Sequence, residues 1–179
     1  MKQERASLRY ARALLENAIE NKSADKVLDD LNKIEQTLKS VRELHNLFMS
    51  PIIPETKKIQ VFEEVYSDMI NELTLKFLIL LTKKNREDII LTIKNEYYKL
   101  YNLEYNRQPV IVYSAFELNE ELTRTLIEKL EKMTSKKILP TFKVDKNLKG
   151  GIKIKIDDII YDASLDNQLK QIKDKLVAN

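Results

Sequence analysis

His45 is the only imidazole in this chain, and no cysteine accompanies it. Proton transfer near neutral pH relies mostly on histidine held by a partner. His45 follows Leu44 at the end of a long apolar-striped stretch, where an imidazole can bond the last helical carbonyls. Paired acids occur at Asp29-Asp30, Glu63-Glu64 and Asp157-Asp158. With no thiolate or second histidine to complete a metal shell, they read as solvated faces and turns. The two glycines, Gly150 and Gly151, are neighbours. A P-loop needs two separated glycines before Lys-Ser/Thr, and a dinucleotide fingerprint needs a third. These residues predict no catalytic group, no cofactor and no metal. A glycine pair ahead of Ile152-Lys153-Ile154 instead suits a strand that kinks and packs tightly beneath a helix.

Charge divides the chain. The net charge is +3 over 179 residues, yet residues 1–106 hold 17 basic and 17 acidic side chains, whereas 107–179 hold 14 and 11. Ten cations crowd into 124–155 against Glu128, Glu131 and Asp145. Such a stretch suits an acidic protein partner or phosphate. Only Phe142 offers a ring among these charges, and no RNA-binding motif is present, so a basic RNA-associated protein stays as the alternative reading. Tyr97, Tyr98, Tyr101 and Tyr105 share a helical stretch and read as packing and helix-edge residues. The apolar run Phe77–Leu81 is far shorter than the ~20 residues of a membrane span. Arg5, Arg9 and Arg12 imitate a transit peptide, but Glu4 and Glu16 interrupt them and the stretch opens a good helix. Mature sequence in a cytosolic setting is expected.

The elements that would hold these residues fall into two groups. Leu8, Ala11, Leu15, Ala18 and Ile19 recur at helical spacing, widened by Tyr10, Ala13 and Leu14, and the alanines leave a shallow groove. Ser23 is placed to cap a second helix, whose stripe of Leu28, Leu31, Ile34, Leu38, Val41 and Leu44 predicts one unbroken rod. Pro51 and Pro54 stop it, and Pro54 starts the next helix, with Ile59, Phe62, Val65 and Tyr66 inward. Residues 71–84 are apolar all round, which predicts the centre of a bundle. Ile89, Ile90, Ile93, Tyr97, Leu100 and Tyr101 mark a fifth helix after Asn85-Arg86. The expectation is an antiparallel bundle of five or six helices over 1–106.

From Gln108 the period changes. Val110–Ala115 is β-branched and strand-like. Asn119 is placed to cap a helix with Leu122, Leu126, Ile127, Leu130 and Met133 inward. Strands follow near 138–145, 148–156 and 159–162, and Ser164 caps a last helix bearing Leu165, Leu169, Ile172 and Leu176. Strand–helix–strand gives a parallel pair, with the next two strands returning as a meander. The expected fold is α+β overall: an all-α bundle over 1–106, then a small α/β domain over 107–179 in the order β-α-β-β-β-α.

These features, in this order, resemble the delta subunits of bacterial F-type ATP synthases, whose mitochondrial relative is the oligomycin-sensitivity-conferring protein. Arg9-Tyr10-Ala11-Arg12-Ala13-Leu14 looks like that family's opening "RYAxAL". Ser50-Pro51-Ile52-Ile53-Pro54-Glu55-Thr56-Lys57 sits at its proline break followed by lysine. Asn85-Arg86 before Ile89, Ile93 and Tyr97 is similar to its "NxR", and Val112-Tyr113-Ser114-Ala115 to its "V-x-S/T-A". Val144-Asp145-Lys146-Asn147-Leu148-Lys149-Gly150-Gly151-Ile152-Lys153-Ile154 resembles its "GG-apolar" strand, and Ile160-Tyr161-Asp162-Ala163-Ser164-Leu165 its "V-x-D-G-S-V". Ala163, Asp157 and Lys149 depart from that pattern.

The resemblance implies a non-catalytic stator subunit, one copy per complex, that joins the alpha/beta head to the peripheral stalk b subunits against rotor torque. It implies a place on the cytoplasmic face of the bacterial cell membrane, with no membrane span of its own and no nucleic acid. The bundle would hold the N-terminal helix of an alpha subunit in a groove involving its first and fifth helices, with Tyr10, Ala11, Ala13, Leu14, Leu80 and Ile90 at or under that face. The second domain would meet the stalk, with Gly150, Gly151, Leu165, Leu169, Ile172 and Leu176 as contact or structural residues.

Overall fold

The computed structural model describes residues 2–177, without the side chains of residues 2, 172 and 175–177. The chain forms two compact units, Met1–Tyr101 and Asn102–Asn179. The division falls inside a helix, ahead of the expected change of period after residue 106.

The first unit is helical: α1 (Lys2–Glu20), α2 (Ala24–Ser40), α3 (Arg42–Met49), α4 (Glu55–Tyr66), α5 (Glu72–Lys83), a 3-10 turn (Glu87–Ile89) and α6 (Ile90–Glu104), which runs past the division. One core joins them, with Ala11, Leu14 and Ala18 of α1 and Leu31, Ile34 and Leu38 of α2 meeting Leu78, Leu81, Ile90, Ile93 and Tyr97. Proline separates α3 from α4 as expected, because it cannot donate to the helical ladder.

Two expectations for this unit are corrected. The rod from Ser23 to Leu44 is broken at Val41, whose backbone is extended (φ −113°, ψ 98°) and whose side chain is 40% exposed. The apolar stripe continues across the break because α3 begins a new inward face with Leu44 and Phe48. His45 therefore lies within α3, its N–H donating to the Val41 carbonyl at 3.1 Å. Ser23 makes no side-chain cap; its hydroxyl turns back to the Ala18 carbonyl at 3.4 Å. A cap that the sequence reading passed over, Asn71, accepts from the Leu73 N–H at 2.9 Å and starts α5.

Polar pairs tie α2 to its neighbours. Glu35 accepts from Lys94 of α6 and Lys39 of its own helix, both at 2.9 Å, and these ammonium groups hold its carboxyl below the usual 4.5. A carboxyl depressed on folding contributes stability that is complete above its unfolded pKa and is lost as pH falls through the lower folded value. Glu35→Gln should therefore cost up to about 1 kcal/mol at neutral pH and nothing in strong acid, a convergence that urea melts of the two chains at both pH values would show.

The second unit is a four-stranded sheet with helices α7 (Glu120–Thr134) and α8 (Leu165–Val177), following the order β-α-β-β-β-α. Its strands are β1 (Arg107–Ser114), β2 (Lys137–Val144), β3 (Gly151–Ile156) and β4 (Ile159–Ser164). The pair β1–β2 is parallel, as a strand–helix–strand unit demands, with Val110 opposite Pro140. The strand order is β2-β1-β3-β4, so β3 lies against β1, not β2, and the expected meander is replaced by a β3–β4 hairpin added to the other side of β1. Val110, Val112, Ile138 and Ile154 form the core with Leu130 of α7. Asn119 caps α7 as expected, accepting from the Leu122 N–H at 2.8 Å. Leu122 and Met133, expected inward, are exposed, since one helix over a small sheet buries only its central stripe.

The glycine pair sits where β3 starts. Gly151 has φ +76°, and a Cβ there would lie 2.4 Å from the Ala163 carbonyl oxygen. At Gly150 a Cβ would meet only the half-exposed Leu165 side chain, Cδ1 at 2.6 Å, which can shift, while its carbonyl accepts the Leu165 N–H at 3.1 Å. At Gly151 the backbones of β3 and the β4–α8 junction approach too closely for a side chain, which is what glycine permits.

Candidate functional site

The first unit carries a solvent-open, mostly apolar groove of about 420 Å³ between α1 and α5. Helix α1 contributes Arg9, Tyr10, Ala13, Leu14 and Asn17, and α5 contributes Leu73, Lys76, Phe77 and Leu80. Tyr10 and Phe77 meet edge to face, centroids 6.3 Å apart, and close the floor. Ala13 keeps the α1 wall low, and Leu80 of the opposite wall is 44% exposed. The all-round apolar surface of α5 is thereby explained: Leu78 and Leu81 enter the core, and Leu73, Phe77 and Leu80 turn to the groove.

The start of α5 is held by a buried carboxylate. Asp30 Oδ2 accepts from the Asn71 N–H at 2.8 Å and the Thr74 hydroxyl at 2.9 Å, and Lys33 donates to the Met69 carbonyl at 3.0 Å. Asp30 is therefore no solvated surface acid, as its pairing with Asp29 had suggested; it fixes the wall that carries Leu73. The far end of the unit is pinned by a second buried contact, an ion pair between Lys58 of α4 and Glu87 of the 3-10 turn.

The sequence-predicted residues divide on this geometry. Tyr10, Ala13, Leu14 and Leu80 line the groove together. Ala11 and Ile90 are wholly buried and do not line it: Ala11 lies on the core side of α1, and Ile90 starts α6 inside the core. Sequence reasoning missed Leu73, Phe77 and the polar rim of Arg9, Asn17 and Lys76, although the excess of apolar residues on α5 was the available signal. Among the described residues, no three of His, Cys, Asp and Glu gather as a metal site. No described helix is long and apolar enough to cross a membrane.

In the second unit, Leu165 and Leu169 of α8 are exposed, Leu169 at 63%. The side chains of Ile172 and Leu176 lie outside the described residues. The basic stretch is partly neutralised, with Lys149 paired to Asp166 at 3.0 Å and Lys153 to Asp162 at 3.2 Å. Hydrogen bonds from Ser164, and then Lys153, hold the Asp162 carboxyl below the usual carboxylate range.

A helical unit with an open groove, followed by a β-α-β-β-β-α unit, has counterparts among known proteins. The family model described as "ATP synthase delta (OSCP) subunit" matches residues 6–176. The chain belongs to this family. A relative named ATP synthase subunit delta from Chlorobium limicola is 38% identical over 173 residues, covering 97% of this chain and 96% of its own length. The delta subunit of Salinibacter ruber is 35% identical over 176 residues, with 98% and 93% covered. Among solved structures, a chain of the Toxoplasma gondii mitochondrial ATP synthase hexamer shares the fold at TM-score 0.70 and 17% identity, covering 97% of this chain and 98% of that one. The chain is thus a delta-family subunit of an F-type ATP synthase, and its two units follow the family's fold from end to end.

Proposed function

We propose that this delta-family chain is a non-catalytic stator subunit, present in one copy, that joins the alpha/beta head to the peripheral stalk and resists rotor torque during ion-driven ATP synthesis. The observation that carries this reading is the groove between α1 and α5: a low apolar trough open along two helices is the form that receives an amphipathic helix. Its occupant is the N-terminal helix of an alpha subunit. Tyr10, Ala13, Leu14 and Leu80 touch that helix, and Ala11 and Ile90 support it from beneath. The exposed Leu165 and Leu169 of α8, continued in sequence by Ile172 and Leu176, meet the b subunits of the stalk, while Gly150 and Gly151 hold the start of α8 in place. The complex places the subunit at the cytoplasmic face of a bacterial cell membrane.

Titration calorimetry with a synthetic alpha N-terminal peptide tests the reading. The unaltered chain should bind it, and Ala13→Trp, which fills the trough from an exposed position, should weaken binding tenfold or more, equivalent to about 1.4 kcal/mol. Unchanged affinity in a variant with native helical circular dichroism overturns the assignment of the groove.

A further inference from the structure

Helix α1 carries a feature that an apolar groove does not need. Arg5, Arg9 and Arg12 are spaced four and three residues apart, so they form one stripe spanning ~10 Å of helix. All three are exposed, and none makes an ion pair with a described residue. They line a shallow surface with Leu8, Ala13 and Glu16, which adjoins the groove through Arg9 and Ala13. The Arg9 guanidinium lies over the Tyr10 ring, 5.6 Å from its centroid, so its cationic end is held at the groove's edge.

The opposite wall differs. Its cation, Lys76, is paired with Glu72 at 2.5 Å. Charge at the groove is therefore lopsided: on the α1 side Arg9 lines it, with Arg5 and Arg12 on the adjoining surface against one acid, Glu16, while on α5 Lys76 is neutralised. This occurs in a stretch that is neutral as a whole, with 17 basic and 17 acidic residues in 1–106. Guanidinium groups bind carboxylates through paired, planar hydrogen bonds, and unpaired surface charge beside an apolar contact fixes partner orientation and speeds association.

We propose that the arginine stripe reads carboxylates on the docked helix, so that the occupant carries an acidic flank facing α1 and an uncharged or mixed flank facing α5. This rests on the docking reading above and adds the orientation of the bound helix to it. Arg9 makes the central contact, and Arg5 and Arg12 bracket it.

The test uses the full chain and the alpha N-terminal peptide, with and without its Asp and Glu replaced by Asn and Gln. Binding to the unaltered chain should weaken between about 50 mM and about 500 mM salt, as screening shortens the reach of surface charge. The R5Q/R9Q/R12Q variant should bind tenfold or more weakly at low salt and lose most of that salt dependence, and the neutral peptide should show the same loss on the unaltered chain. Arg9→Glu should lose affinity for the native peptide and recover it with a peptide bearing lysine in place of the facing acids. If the unaltered chain binds no peptide, the docking reading fails and this inference with it. If the peptide binds but neither arginine removal nor acid removal changes affinity, the groove stands and the acidic flank is overturned. Binding to phosphatidylserine vesicles that the triple variant loses, with peptide affinity unchanged, also overturns it and assigns the stripe to a lipid surface.

Discussion

Gly151→Val is expected to unfold the second unit while leaving the helices of the first folded. Gly151 sits at φ +76°, where a β-branched residue is a steric outlier, and its Cβ would meet the Ala163 carbonyl oxygen at 2.4 Å and Ser164 Cα at 2.9 Å. Both obstacles are backbone, so no rotamer change relieves them. The left-handed conformation alone costs about 1–2 kcal/mol and the overlap adds several more. A unit of this size has a margin of roughly 4–12 kcal/mol, and much of it rests on one small core. Trypsin should cut the variant throughout Asn102–Asn179 while a fragment close to Met1–Tyr101 persists, and the far-ultraviolet dichroism should lose its sheet contribution. Gly151→Ala should show a weaker form of the same defect, because its Cβ meets the same oxygen. On the stator role proposed above, the head's own ATP hydrolysis should be unaffected by either change, since the defect would lie in assembly.

That glycine pair shows what a sequence can reveal of this fold. Gly150-Gly151 before an alternating Ile-Lys run points to a strand that kinks beneath a helix; the structure shows the close approach, but to the backbone of the β4–α8 junction and not to a helix face. The parallel β1–β2 pair was legible for a similar reason: a helix between two strands leaves few other geometries. The position of β3 was not legible. Its alternating pattern shows that one face is buried, but a strand entering beside β1 and one entering beside β2 bury the same residues. The break at Val41 was hidden because no glycine or proline marks it and the apolar spacing runs through it.

The candidate site was legible in part, and the missing part has a physical cause. Ala13 and Leu14 betray a low helix face, and Leu80 an excess of apolar surface on α5. Which side of α5 stays open depends on where α2 holds it. That is decided by Asp30, bonded to Asn71 and Thr74, residues 41 and 44 positions away. Contacts between distant polar residues leave no periodic trace. Asp30 therefore reads as surface acid beside Asp29, and the sequence leaves open whether Ile90 lies at the groove or under it, where the core holds it.

The ion pair between Lys58 and Glu87 is another such hidden contact, and removing one partner should be among the most damaging single changes in the first unit. The two side chains are only 4% and 7% exposed, and the second carboxylate oxygen of Glu87 has no hydrogen-bond partner among the described residues. Beside them lies a cleft of about 350 Å³ lined by Phe48, Pro51, Ile53 and Asn85, so the pair joins the proline break to the turn before α6. Two charges taken out of water are tolerable only together; one left alone costs about 3–5 kcal/mol. Lys58→Met keeps the volume and strands the carboxylate, so urea melts should show a loss of that size. Lys58→Met combined with Glu87→Leu should regain most of the lost stability, since an apolar pair of similar volume carries no desolvation cost. A double variant as unstable as the single one would show that hydrogen-bond geometry at this joint, and not charge compensation, holds α4 to the turn before α6.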